Sequence, residues 1–154
     1  QAGLGQVAQN VARIKGHGGE LELEWQPGRD WRLQAHCALQ RSRDASTGRD
    51  TGFAPENDGY LRVEWLGAAQ WRPSAQLNRI GPRPRPAGDT RAALKGYTAV
   101  DLNLRLLSSD WELTASARNL FGADVREPSN AGAAIPFDIP LAGRDVWLQL
   151  SRKL

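Results

Sequence analysis

Apolar and polar residues alternate along most of the chain, and this alternation limits the fold more than any other sequence feature. Clear examples are residues 20–25, ELELEW, and residues 97–107, YTAVDLNLRLL. Because successive side chains of a strand point to opposite faces, this pattern predicts strands with one apolar and one polar face. Sixteen glycines and nine prolines supply breaks between such runs, as turns require. The sequence therefore predicts an all-β fold.

Eight strands are predicted, and their connections alternate in length. The strands lie at about residues 5–13, 19–26, 31–42, 58–66, 71–80, 97–107, 110–121 and 144–154. Short turns fall near 26–30, 67–70 and 108–109, and long loops near 43–57, 81–96 and 122–143. Outer-membrane barrels have short turns at one end and long loops at the other. The pattern predicts a segment of an antiparallel, up-and-down transmembrane β-barrel.

Five of the six tryptophans lie on the predicted apolar face, next to the short turns. They are Trp25, Trp31, Trp65, Trp71 and Trp111. Tryptophan favours the membrane–water interface, where its ring is buried and its N–H group stays hydrated. We interpret these five residues as part of an aromatic girdle at one end of the barrel.

A repeat links two of the short turns. Residues 24–32 read EWQPGRDWR and residues 64–72 read EWLGAAQWR, forty residues apart. Tight hairpins predict the pairs Trp25 with Trp31, Trp65 with Trp71, and Leu106 with Trp111. The neighbouring polar pairs would then be Glu24 with Arg32, Glu64 with Arg72, and Arg105 with Glu112. We interpret these ion pairs as fixing the strand register, with no catalytic role.

Composition excludes several classes of protein. No run approaches the roughly 18 apolar residues of a membrane-spanning helix. With 20 basic and 17 acidic residues and a net charge of +3, no nucleic-acid partner is predicted. The lone Cys37 excludes an internal disulfide framework and a cysteine-based metal site.

Few polar residues have the spacing of a chemical site. The glutamates at 20, 22 and 24 read as hydrated lining of the barrel interior. His17 and His36 have no second donor at ligand spacing, so they read as polar lining too. The sequence therefore predicts no catalytic residue, no metal ligand, no cofactor and no enzymatic activity.

The second long loop is the best candidate for ligand contact. Residues 81–91 read GPRPRPAGDTR and contain Arg83, Arg85 and Arg91. Positive charge at a barrel mouth attracts anionic ligands. We therefore predict that these three arginines contact an extracellular, anionic small molecule.

The last third of the chain resembles TonB-dependent outer-membrane receptors. The similar stretches are YTAVDLNLRL, WELTASARNLFG and IPLAGRDVWLQLSRKL. The family residues they match are Tyr97, Asp101, Asn119, Leu120, Phe121, Pro140, Gly143 and Arg144. Upstream, GGELELEWQPGRDWRLQ is similar to a family strand, its periplasmic turn and the next strand. The resemblance covers most of residues 13–154.

This resemblance implies a 22-stranded barrel of a Gram-negative outer membrane, plugged by an N-terminal domain and energised by TonB. Residues 1–154 would be its C-terminal part, about eight strands, without the plug and the earlier strands. The implied function is uptake of a scarce ligand, most often a ferric siderophore or similar metal chelate. The implied partners are outer-membrane lipid, the TonB complex through the missing N-terminal part, and the barrel-assembly machinery through the C-terminus.

One departure and two alternatives accompany this interpretation. The family usually ends in an aromatic residue, whereas this sequence ends in Leu154. Eight strands can also close into a small outer-membrane barrel with a structural or adhesive role. A soluble β-sandwich binding module would bury the same apolar face inside.

Overall fold

The structure is a computed structural model that describes residues 13–129 and 135–152. Within these ranges the chain forms nine strands and no helix. The strands are β1 (Ile14–Trp25), β2 (Trp31–Asp44), β3 (Asn57–Trp65), β4 (Trp71–Ile80), β5 (Tyr97–Leu107), β6 (Trp111–Arg118), β7 (Arg126–Glu127), β8 (Ile139–Pro140) and β9 (Asp145–Arg152). In this part of the chain, no helix is long and apolar enough to cross a membrane.

Seven strands form one antiparallel sheet. Their order is β1-β2-β3-β4-β5-β6-β9, so strands that follow each other in sequence lie side by side. The short strands β7 and β8 pair separately, within the last long loop. In the described ranges, β1 pairs only with β2, and β9 pairs only with β6. The sheet is thus open at both edges, unlike a closed eight-stranded barrel.

The apolar face of the sheet is uncovered. Leu21 is 67% exposed, Leu39 65% and Leu148 74%. Among the described residues, the only buried hydrophobic side chain is Leu94, which lies in a long loop. A β-sandwich needs a second sheet packed on this face, and the described residues form none there. The sheet therefore has no core of the kind that stabilises a water-soluble domain.

The predicted strands from residue 19 onward are confirmed, with shifted boundaries. β1 begins at Ile14, five residues before the predicted start, although Gly16, Gly18 and Gly19 lie in it. Glycine is required at position 18 in the strand, because a Cβ there would lie 2.5 Å from the Leu39 carbonyl oxygen, which is too close. The predicted strand 5–13 lies outside the described residues except for Arg13, which is not in a strand.

The strand registers correct the predicted hairpins. Pairing is offset by two residues in all three, with Trp25 opposite Leu33, Glu64 opposite Ser74 and Leu106 opposite Leu113. In the third hairpin, the Ser108 N–H donates to the Trp111 carbonyl at 2.8 Å. The turn is therefore at 109–110 instead of 108–109. Moving a turn by one residue shifts the register by two, so each side chain keeps its predicted face.

This offset also changes the ion pairs. Glu64 pairs with Arg32 on the neighbouring hairpin at 3.6 Å, so the predicted pairs of Arg32 with Glu24 and of Glu64 with Arg72 are wrong. Arg72 instead lies opposite Arg105 in the register. The predicted pair of Arg105 with Glu112 is confirmed, because their Nη2 and Oε1 atoms lie 2.8 Å apart. The long side chain of Arg105 spans the two-residue offset diagonally.

A hydrogen-bonded turn ends β6 at Arg118, three residues before the predicted boundary. Asn119 has a φ of 46° and is buried. Its side-chain amide accepts from the Ala123 N–H and donates to the Ala123 carbonyl, both at 2.8 Å. Asp101 Oδ1 accepts the Asn119 N–H at 2.8 Å. Asparagine suits this position because it tolerates positive φ and bonds to local backbone.

The first prediction concerns this turn. Asn119→Ala removes both amide hydrogen bonds and replaces asparagine by a residue that tolerates positive φ less well, so it should destabilise the protein by about 2–4 kcal/mol. Asn119→Gly keeps the backbone conformation and should cost less. The measurement is denaturant unfolding of the full-length protein in detergent. Asn103→Ala is the control, since the Asn103 side chain forms no hydrogen bond in the described part. Equal stability of Asn119→Ala and this control would contradict the prediction.

Candidate functional site

Two long loops meet through paired charges. Arg83, in the loop after β4, is buried and forms two hydrogen bonds with the carboxylate of Glu127 in β7. Such a two-point contact fixes direction as well as distance, because the guanidinium and the carboxylate are both planar. Residues 44 positions apart in sequence are thereby held together.

Arg85 forms a second paired contact between the same loops. Its two Nη atoms donate to the two carboxylate oxygens of Asp138 at 2.7 and 2.6 Å. Only 6% of the Arg85 side chain and 16% of the Asp138 side chain are exposed. The Arg85 guanidinium holds the pKa of Asp138 below its usual range, mainly through these hydrogen bonds. The ionised carboxylate is thus the form that the folded loops favour.

Arg91 connects three acceptors. Its guanidinium bonds to Asp89, with the closest contact at 2.6 Å, and donates to the Ser129 carbonyl at 2.7 Å. The hydrogen bonds from Arg91 lower the pKa of Asp89 to about 2. Among the described residues, the buried Arg91 Nη1 atom has no hydrogen-bond partner and lies 3.9 Å from Asp138 Oδ1. The hydrogen-bonding capacity of Arg91 is therefore not fully used within the described part of the chain.

A cavity of about 330 Å³ lies beside these ion pairs. Its polar lining includes Arg85, Arg91 and Lys95, and Phe137 and Leu94 contribute apolar surface. Neither loop alone encloses this space. The arrangement combines cationic groups and an aromatic ring, which suits a small anionic or aromatic molecule.

The structure thus brings the three predicted arginines together and adds acidic partners that sequence reasoning missed. Those partners are Asp89, Glu127 and Asp138. The latter two lie more than 40 residues from their arginines, and no local spacing relates them. Only composition could have suggested these partners, since a loop rich in arginine is followed by a loop that contains several acids. Ligand contact by the three arginines stays a prediction.

The family residues lie in and around the last strands. Asp101 lies in β5 and bonds to Asn119. Asn119 and Leu120 belong to the turn after β6, where the Leu120 N–H donates to the Val100 carbonyl at 2.8 Å. Phe121 is 76% exposed. The remaining family residues are Tyr97 at the start of β5, Pro140 in β8, and Gly143 and Arg144 directly before β9.

The five tryptophans of the predicted girdle lie on the apolar face at the short-turn end. Trp31 is directly opposite Trp65 across β2 and β3. Trp25, Trp31, Trp71 and Trp111 are between 44% and 54% exposed. The Arg152 guanidinium stacks over the Trp111 ring at 5.4 Å from its centroid. The charged group of Arg152 is therefore held at the end of this face, where a cation–π contact stabilises it.

The second prediction tests the loop contact. Asp138→Asn keeps the size of the side chain but leaves the buried Arg85 without its counter-ion, which is strongly destabilising for a paired charge. Amide hydrogen exchange in residues 135–143 should speed up by roughly tenfold or more. Asp124→Asn is the control, because the Asp124–Arg126 pair is largely exposed and should contribute little. Equal exchange in the two variants would contradict the prediction.

Comparison with known proteins identifies the family. The family described as TonB dependent receptor-like, beta-barrel, matches residues 1–120. No protein in the curated set matches significantly. The solved structures that match include the copper transporter OprC, with a TM-score of 0.74 and 21% identity over 89% of this chain and 23% of that one.

Two further matches have the same fold at similar identity. The ferric-catecholate import receptor Fiu from E. coli gives a TM-score of 0.74 and 18% identity, over 90% of this chain and 21% of that one. The ferric enterobactin receptor PfeA from Pseudomonas aeruginosa gives 0.70 and 18%, over 90% and 22%. This chain thus spans about a fifth of the length of these structures.

These matches confirm the predicted barrel segment and the prediction that the protein is not an enzyme, since the matched proteins are receptors and transporters. The family match covers well over half of the sequence, and the fold similarity extends over nine-tenths of it. The chain therefore belongs to the TonB-dependent receptor family and forms part of its β-barrel.

Proposed function

We propose that residues 1–154 are the C-terminal part of an outer-membrane receptor that imports a scarce ligand with energy delivered through TonB. The observation that carries this proposal is the family match over residues 1–120, combined with a sheet whose apolar face is uncovered. The plug and the earlier strands would come from the rest of the receptor. Members of the family are outer-membrane proteins of Gram-negative bacteria.

The uncovered apolar face supports a position in lipid. Nine of its leucines are exposed by 38–74%, and an apolar surface of this extent is unfavourable in water. In a bilayer the same side chains are solvated by acyl chains, and backbone groups must pair within the sheet. The tryptophans at the short-turn end then lie at the periplasmic interface.

This orientation assigns the two ends of the sheet. The long loops near 43–57, 81–96 and 122–143 face the exterior, and the short turns face the periplasm. Strand β9 runs towards the periplasmic end, where we place the contact with the barrel-assembly machinery.

A metal chelate is the ligand class that we propose. The three similar structures are a copper transporter, a ferric-catecholate import receptor and a ferric enterobactin receptor. Many such chelates are anionic, and cationic loops raise the local concentration of anions. All three arginines form two-point ion pairs with acids. The Arg91 side chain is 23% exposed, against 10% for Arg83 and 6% for Arg85, so it is the best placed of the three to contact the ligand directly.

The third prediction tests orientation. In a Cys37→Ser background, Thr47→Cys places a thiol in the first long loop, and Ala69→Cys places one in a short turn. A membrane-impermeant maleimide should label the Thr47→Cys variant in intact cells. It should label the Ala69→Cys variant only after the outer membrane is permeabilised. Labelling of both variants in intact cells would contradict the proposed orientation.

The fourth prediction tests uptake. Cells that express the full-length receptor should accumulate a radiolabelled ferric chelate, and cells without it or without TonB should not. Arg91→Gln should raise the half-saturating chelate concentration severalfold, because a charge-assisted contact is lost. Arg49→Gln is the matched control, since Arg49 is exposed in the first long loop and does not line the cavity. Uptake that is independent of TonB would refute the transport mechanism.

A further inference from the structure

A second group of polar residues lies on the polar face of the sheet, away from the long loops. His36 in β2 is directly opposite Glu22 in β1. Glu20 and Asp58 both lie opposite Ala38, whose small side chain leaves room for their carboxylates to reach His36. Three carboxylates, from the two strands on either side of β2, therefore converge on one imidazole.

The distances have the form of a ligand set. His36 Nδ1 lies 3.4 Å from Glu20 Oε1 and 3.9 Å from Glu22 Oε1. One donor atom from each of the three residues lies within 4.8 Å of the other two. Ligand atoms about 2.0–2.2 Å from a tetrahedral ion are roughly 3.3–3.6 Å apart. Small movements of the two exposed glutamates would complete such a geometry.

Asp58 orients the imidazole. Its Oδ1 lies 3.1 Å from His36 Nε2. In the neutral tautomer that donates this proton to Asp58, Nδ1 is left as a lone-pair donor facing the two glutamates. A carboxylate that holds the second nitrogen of a metal-binding histidine is a recurrent arrangement, because it fixes the tautomer and raises the basicity of the ligand.

The charge balance distinguishes this group from other acids on the same face. Glu64 pairs with Arg32, and Glu112 pairs with Arg105. In residues 13–129 and 135–152, by contrast, no lysine or arginine forms an ion pair with Glu20, Glu22 or Asp58, and the imidazole of His36 is the one basic side chain paired with them. Three carboxylates around one imidazole create a local excess of negative charge, which favours a cation.

We propose that Glu20, Glu22 and His36 bind a divalent transition-metal ion, with Asp58 as the positioning residue for His36. The mixed nitrogen and oxygen donors suit Zn²⁺, Ni²⁺ or Cu²⁺. Mg²⁺ and Ca²⁺ prefer oxygen ligands alone, and Cu⁺ prefers sulfur. Three protein ligands leave a coordination position open for water or for a donor atom of a passing molecule.

The position of His36 along β2 indicates where the metal site would lie in the receptor. His36 is five residues from Trp31, which corresponds to about 17 Å along an extended strand. If the proposed function holds, the metal lies on the inner wall of the barrel, well inside the periplasmic end. Metal binding by these residues does not depend on ligand uptake. An experiment can therefore disprove the metal site without disproving the proposed transport function, and the reverse also holds.

The test is zinc binding by the full-length protein, purified in detergent and stripped of metal with a chelator that is then removed. Calorimetric titration with Zn²⁺ near neutral pH should show a site that His36→Gln weakens by at least about tenfold. Asp58→Asn should weaken it by about 10–100-fold, the usual effect of losing such a supporting carboxylate. His17→Gln is the matched control and should bind like the wild type, because His17 has the opposite parity along β1.

X-ray absorption at the zinc edge of the wild-type protein gives a readout that needs no variant. It should show one imidazole nitrogen and carboxylate oxygens at about 2.0–2.2 Å. Loss of heat-modifiable migration on gels would reveal any variant that fails to fold, and the wild-type spectrum then decides. Equal zinc binding by the wild type and a folded His36→Gln variant, or a spectrum without imidazole, would overturn the proposal. The absence of zinc binding by the wild-type protein would overturn it as well.

Discussion

Continuous pairing between antiparallel strands is the interaction on which the rest of this structure depends. Six consecutive ladders join seven strands, and they satisfy the backbone groups without a core beneath the sheet. In lipid no water is available to bond to unpaired backbone groups, so these ladders are what make an uncovered apolar face tolerable. The open outer edges of β1 and β9 are compatible with a segment of a larger barrel, because a long exposed edge is a hazard for an isolated sheet.

The two-residue offset of the hairpins shows how robust the faces of such a sheet are. Moving a turn by one residue changes every partner across the ladder, yet it leaves each side chain on its own side. The five tryptophans of the predicted girdle therefore stay on the apolar face, and Glu22, Glu24 and Glu64 stay on the polar face. The specific ion pairs are less robust, since Glu64 pairs with Arg32 across β2 and β3 and not with Arg72 within its own hairpin.

The long loops and the group around His36 differ in their balance of acidic and basic side chains. In the loops, Arg83 and Arg85 meet acids almost one to one, so their main effect is to hold the two loops together. Around His36, acids outnumber cationic partners among the described residues. The first arrangement is a structural contact beside a cavity, and the second has an unbalanced negative charge that a metal ion would neutralise.

The sequence by itself determined the all-β fold, the faces of the strands, the alternation of turns and loops, and the family. These features depend on period-two alternation and on short motifs, which are local properties of the chain. Only the tertiary structure decided the hairpin registers, the partners of Arg83, Arg85 and Arg91, and the meeting of Glu20, Glu22 and His36. Register depends on where each turn closes, and loop contacts join residues more than 40 positions apart. Neither leaves a periodic trace in the sequence.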